Sequence, residues 1–224
     1  MIPDVDALRL NGGADPAAER CRVVVEQPVT ITIDAVGSYT IMCSPTNTMA
    51  LAIGFAYSEG LISSTRDVAL LQCCDDDPAV RMRLARPPAV ESQRSMIVSS
   101  SCGVCGVTDV EGLLAALQPA TDTLHVTADV IQSVLAEMKS RQVIFSETGG
   151  THAAALFSDA GEIVSFAEDI GRHNALDKAI GACLLEERPT AGLGVALSGR
   201  VSFELVAKAA RAGLELIAAV SAPT

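Results

Sequence analysis

The alternation of segments between residues 142 and 220 constrains this chain more than any other feature. Residues 142–145 read as a strand start. Residues 151–157 and 163–166 read as two strands joined by Ser158-Asp159-Ala160-Gly161, a turn signal. Residues 193–197 and 216–220 add two short apolar strands. Helical patterns fall between them at 172–185 and 202–212, and a capped amphipathic helix over 127–138 precedes them. The order helix, strand, strand, helix, strand, helix, strand predicts a three-layer α/β domain with mostly non-hairpin connections late in the chain.

Ahead of this lies a β-rich half. Val23 to Val25 and Val29 to Ile33 are β-branched runs, and Tyr39 to Met42 follows Gly37-Ser38, which predicts a hairpin. Thr46 or Asn47 caps a helix ending at Gly60, with Met49, Ile53, Ala56 and Tyr57 at helical spacing. Residues 80–84 alternate apolar with arginine, the pattern of a half-exposed strand. The expected organisation is a flexible leader (1–20), a smaller β-rich N-terminal domain with one helix (21–95), a linker (96–125) and the α/β domain (126–224).

Composition fits a compact fold: 49% hydrophobic residues and 19% charged. Aromatics make up 3% with no Trp, so the core is aliphatic. A formal net charge of -11 argues against nucleic acid as the main ligand. No secretory signal pattern and no apolar run of about 18 residues is visible, so neither export nor membrane insertion is expected. The seven cysteines are odd in number and scattered, which disfavours a disulfide framework.

Two of them, Cys102 and Cys105, form a C-x-x-C pair on a glycine-containing segment of small residues that suits exposed, mobile sulfur. Redox or sulfur chemistry and a bland turn fit that segment about equally. One pair supplies two ligands where structural zinc takes four, so no metal site is expected.

Three polar clusters mark loop ends in the second half. Glu147 to His152 offers glycines for close ligand approach beside Thr151 and His152. Glu168 to Asn174 leads into a helix start, favourable for a phosphate, with Arg172 as a bidentate donor beside His173 and Asn174. Ser198-Gly199-Arg200-Val201-Ser202 is a second strand-to-helix turn. Two such turns would face one crevice. The structural alternative is that Asp169, Thr127 and Ser202 only cap helices and that the histidines only pack.

Taken together, SPTNTMALAIGFAYSEGLI (44–62), CGVCG (102–106), THAAAL (151–156), EDIGRHNALDKAIG (168–181), SGRVSFELVAKAA (198–210) and the final SAPT resemble the FdhD family, sulfurtransferase-type accessory proteins of formate dehydrogenase. The resemblance implies a cytoplasmic, typically homodimeric protein with a cytidine-deaminase-like C-terminal domain. It implies that sulfur from a cysteine desulfurase is carried as a persulfide on Cys102, with Cys105 beside it. The recipient would be the molybdenum or tungsten bis-guanine-dinucleotide cofactor, whose guanine nucleotide binds a pocket of that domain. Thr151, His152, Arg172, His173, Asn174, Ser198, Gly199 and Arg200 are the residues expected to hold it. The deaminase zinc signature is missing, so deamination is not carried over. Family members usually continue past SAPT with a tail that contributes to cofactor binding. A cofactor-binding chaperone that carries no sulfur and a thiol–disulfide oxidoreductase are the competing readings.

Overall fold

A computed structural model describes residues 2–10, 16–73, 78–86, 96–98 and 117–223. Cys102 and Cys105 lie outside the described residues, as does Cys74.

The second half builds as its pattern predicts, with one exception. Strands β8 (His152–Phe157), β9 (Ile163–Asp169), β10 (Gly194–Leu197) and β11 (Leu216–Ala219) form one sheet in the order β11-β10-β8-β9. β8 and β9 are an antiparallel hairpin; β10 runs antiparallel to β8 and parallel to β11. Alternate residues of β8 feed opposite faces. Ala154 and Leu156 pack under α4 (Arg172–Leu185) and α5 (Phe203–Arg211), while Ala153, Ala155 and Phe157 meet Val134 and Met138 of α2 (Ala128–Arg141). The sheet therefore lies between helices, in three layers.

The exception is residues 142–145, expected to start a strand; residues 143–145 are instead part of a short helix, α3 (Val143–Thr148). Strand propensity loses because the buried Glu168 accepts the amides of Ile144 (3.1 Å) and Phe145 (2.9 Å) at the helix start.

In the first half, β3 (Gln27–Ile33) and β4 (Gly37–Cys43) form the expected hairpin, with Ala35 at φ 62 in its turn. They join β5 (Val68–Cys73), β6 (Ala79–Leu84) and β7 (Met96–Val98) in the order β5-β6-β3-β4-β7. Val29, Ile31, Tyr39, Ile41, Val80 and Met82 turn inward onto α1 (Thr48–Ser58). This helix differs from its expected single stripe: Ala50 to Ala56 are all buried. It has the sheet on one side and α4 on the other, and at the crossing Gly54 and Gly181 bring backbone to backbone. Tyr57 and Leu184 belong to both cores.

The described part of residues 1–20, read as a flexible leader, carries strand structure. β1 (Asp4–Arg9) and β2 (Ala17–Arg22) pair antiparallel, continuing to Val23, whose amide donates to the Pro3 carbonyl (3.1 Å). Val23 to Val25, read as a strand, connect this ribbon to β3. The ribbon buries little, and its period is set by charge, with Arg9 beside Glu19 and Arg20 opposite Asp6.

Candidate functional site

The three polar clusters meet at one end of the four-stranded sheet. Antiparallel pairing puts the start of β8 beside the end of β9, with His152 opposite Asp169. Pairing of β8 with β10 puts it beside the next turn as well. There the Ser198 amide donates to the Ala153 carbonyl (3.0 Å), and Ser198 Oγ accepts the Ala153 amide (2.8 Å). Gly199 lies so close that a Cβ there would be 3.1 Å from His152 Nδ1 and 3.6 Å from Arg172 Cβ. Thr151, His152, Arg172, Ser198 and Gly199 thus form one wall, with the exposed Arg200 at its rim.

Arg172 is the first residue of α4, and helix geometry leaves the amides of its first turn without intrahelical acceptors. The Nε of Arg172 is buried and has no hydrogen-bond partner among the described residues. Burial, then the nearby Arg172 and Arg200 guanidiniums, lower the His152 pKa, with Asp169 opposing. The imidazole is therefore neutral near pH 7, able to donate and accept one hydrogen bond beside two fixed cations. A wall of this composition suits an anionic group joined to a polar ring.

Three predicted residues are committed to the fold. Thr151 donates its hydroxyl to Glu168 (2.8 Å). Asn174 spends its amide on the Met42 carbonyl (2.8 Å) and Asp169 (3.0 Å), so it anchors β4 and its side-chain amide is not offered to a ligand. His173 is 6% exposed, and its Nε2 meets Glu204 (3.0 Å) and Ser202 (3.3 Å). Burial, with help from Arg172 and Lys208, pushes its pKa down to about 4 against the pull of Glu204. It clasps the start of α5 to the start of α4. Ser202, read as a helix cap, turns its hydroxyl to Glu204 (3.1 Å) instead, whereas Thr127 caps α2 as expected by accepting the Val130 amide (3.3 Å).

Beneath the wall is a polar hub whose extent sequence reading missed. Asp169, fully buried, accepts from Lys178 Nζ (2.6 Å), the Ser44 amide (3.0 Å), the Gly171 amide (2.8 Å) and Asn174. Lys178 also donates to the Ser44 carbonyl (2.8 Å). The hub bolts the end of β4 to the start of α4. A second buried group joins Asp177, Lys208 and Ser58, with Lys208 Nζ 2.9 Å from Asp177 and 3.1 Å from Glu59. Burial alone would lower the Lys208 pKa; Asp177 and Glu59 outweigh it and raise it. The signal in sequence was an Asp-x8-Lys spacing across the strand-to-helix turn, which names no partner in the other sheet.

Of the described cysteines, Cys43 and Cys183 are buried, and burial raises both thiols, Cys43 to about 12 with Asp169 adding to the shift. They are protonated packing residues.

The sequence model of the FdhD/NarQ family matches residues 24–224. The sulfur carrier protein FdhD of Sulfolobus acidocaldarius is 39% identical over 203 residues, covering 90% of this chain and 78% of that one. That of Sulfurisphaera tokodaii is 43% identical over 185 residues, covering 82% and 70%. The crystal structure of a protein assigned as a formate dehydrogenase accessory protein, from Desulfotalea psychrophila, superposes with a TM-score of 0.79 at 21% identity, over 100% of this chain and 85% of the other. That likeness bears on the fold; the sequence matches bear on ancestry. With a family match over nearly its whole length and relatives aligned over most of theirs, this chain belongs to the FdhD/NarQ family.

Proposed function

We propose that this protein is a sulfur carrier that supports a formate dehydrogenase. It takes sulfane sulfur from a cysteine desulfurase onto Cys102 and delivers it to the guanine-dinucleotide form of the molybdenum or tungsten cofactor. The reading rests on the convergence of Arg172, His152 and Gly199 at the start of α4, which offers an anion and a polar ring one place to bind. The relatives' names, sulfur carrier protein, supply the cargo. Cys43 and Cys183 do not compete as carriers, since burial keeps both protonated.

Loading needs no outside oxidant. The Cys102 thiolate attacks the outer sulfur of the donor persulfide, the inner S–S bond breaks, and the donor cysteine leaves as thiolate. Delivery as sulfide needs two electrons. Attack of the Cys105 thiolate on the Cys102 sulfur supplies them: a Cys102–Cys105 disulfide forms, hydrosulfide leaves, and a thiol reductant resets the pair. In this reading Arg172 and Arg200 hold cofactor phosphates at the helix starts, and neutral His152 hydrogen-bonds a pterin or guanine edge. His173 and Asn174 act behind the wall by fixing it, and Thr151 is held in it by its bond to Glu168.

The reading places the protein in the cytoplasm as a homodimer and takes the layered sheet of the second half as a cytidine-deaminase-like frame. No described helix is long and apolar enough to cross a membrane.

Intact-protein mass after incubation with a cysteine desulfurase and cysteine tests the carrier role. A gain of one sulfur, absent in Cys102→Ala, is expected. Titration with GDP tests the wall, and Arg172→Ala should weaken binding by about tenfold. If Cys102→Ala still fully supports formate dehydrogenase, the carrier role fails and a chaperone that only holds the cofactor takes its place.

A further inference from the structure

The outer face of the five-stranded sheet carries charge that the fold does not use. In a chain of net charge -11, Arg66, Arg81, Arg83 and Arg86 are all exposed and form no ion pair among the described residues. Arg81 and Arg83 alternate with the buried Val80 and Met82 of β6, so both point away from the core, about 7 Å apart along the strand. Register places Arg81 between Gln72 and Thr32, and Arg83 beside the exposed Leu70. Arg66 and Arg86, also exposed, lie in the chain just beyond this end of the strand pair, where Val68 pairs with Leu84. Asp67, the nearest acid in sequence to Arg66, is spent on the amides of Ser63 (2.8 Å) and Ser64 (3.0 Å).

Next to the arginines the face is hydroxylated. Thr30 meets Thr40 (3.3 Å) and Thr32 meets Ser38 (3.1 Å) across β3 and β4. Edge protection does not account for the arginines, because β6 is an interior strand between β5 and β3.

We infer that this face docks an acidic surface of the protein that donates sulfur. Charge complementarity names the chemistry: carboxylates against the guanidiniums of Arg81 and Arg83, which have no ion-pair partner among the described residues and would steer encounter between proteins. Position names the partner. The inner face of this sheet packs on α1, and α1 packs on α4, so the arginine face points away from the wall of Arg172 and His152. A protein bound there leaves the cofactor side open. It also lies three strand spacings, about 14 Å, from β7, whose last residue Val98 is four positions before Cys102 in the chain. The inference rests on the carrier reading above.

The test compares the wild-type chain with R81E/R83E and R81Q/R83Q. Sulfur gain is followed by intact mass from two sources: a cysteine desulfurase with cysteine, and glutathione persulfide. Wild-type loading by the desulfurase should slow as salt rises from 50 to 500 mM. R81E/R83E should load about tenfold more slowly at low salt, with R81Q/R83Q between. Loading by glutathione persulfide should be equal in all three, and so should the thermal midpoints. Equal desulfurase rates in wild type and R81E/R83E, with the same salt dependence, overturn the docking face and leave the carrier reading intact. No sulfur on any protein from either source overturns both. Equal slowing with both sources also overturns the docking face, because it traces the loss to the thiol and not to encounter.

Discussion

At the scale of single residues, the site works by holding polar groups away from their solution behaviour. His173 shows the cost. Its pKa falls from an ordinary 6.5 to about 4, chiefly through burial. The folded state therefore binds its proton less readily than the unfolded chain, and stability tied to His173 is full above 6.5 and lost as pH falls toward 4. His173→Gln should flatten that dependence. Between those two pH values the wild type should lose up to about 1.4 kcal/mol per pH unit more than the variant. Urea unfolding at a series of pH values reads the difference. The same slope in both proteins would mean that the proton belongs to another group.

At the scale of elements, the α1–α4 crossing is the tightest contact. A Cβ on Gly54 would fall well inside the envelope of the Asp177 carbonyl oxygen, and one on Gly181 inside that of Ala50. Neither obstacle is a flexible side-chain end, so the helices must part. Gly54→Ala should destabilise by about 3 kcal/mol or more, at the upper end of overpacking costs, although alanine is the better helix former. Gly149→Ala is the control: Gly149 has φ +66 and open space, so it should cost only about 1–2 kcal/mol of backbone strain. Equal losses in urea midpoint would show that the crossing gives way easily. Sequence reading found α1 by its helical spacing and its Gly60 stop, although Asn47, expected as a cap, makes no side-chain capping hydrogen bond. It could not find that nearly every side of the helix is covered, because its run of small and apolar residues has no polar face to orient it.

At the scale of the whole molecule, Asp169 is one of the buried groups that tie the two sheets together. It receives Lys178 of α4 and the Ser44 amide that follows β4. Asp169→Ala leaves the fully buried Lys178 ammonium without its counter-charge. The expected loss is about 3–5 kcal/mol, as for other broken buried pairs. A double variant is the second readout: Lys178→Met in the Asp169→Ala background should recover part of the loss by removing the orphaned charge. No recovery would mean that the hydrogen bonds to Ser44 and Gly171, and not the ion pair, carry the coupling.

The sequence by itself determined the elements that local pattern encodes. The β3–β4 hairpin, the cap of α2, the strand-to-helix turns before α4 and α5, and the layered α/β order all follow from side-chain period, turn residues and capping chemistry, which act within a few positions. It also marked Arg172, His152 and Gly199 as residues of interest, since arginine, histidine and glycine clustered at the ends of strands and the starts of helices are unusual enough to notice. Tertiary structure alone decided which marked residues face outward and which are spent inside. Asn174 and His173 read like ligands, yet their partners are Met42, Asp169, Ser202 and Glu204, brought together by sheet register and helix packing. It also made residues 143–145, read as the start of a strand, part of a helix, through a carboxylate that stands some twenty positions away in sequence. The physical reason is the same in each case. A buried polar group must find a partner, and that partner is chosen by packing across the fold, over separations that no local pattern records.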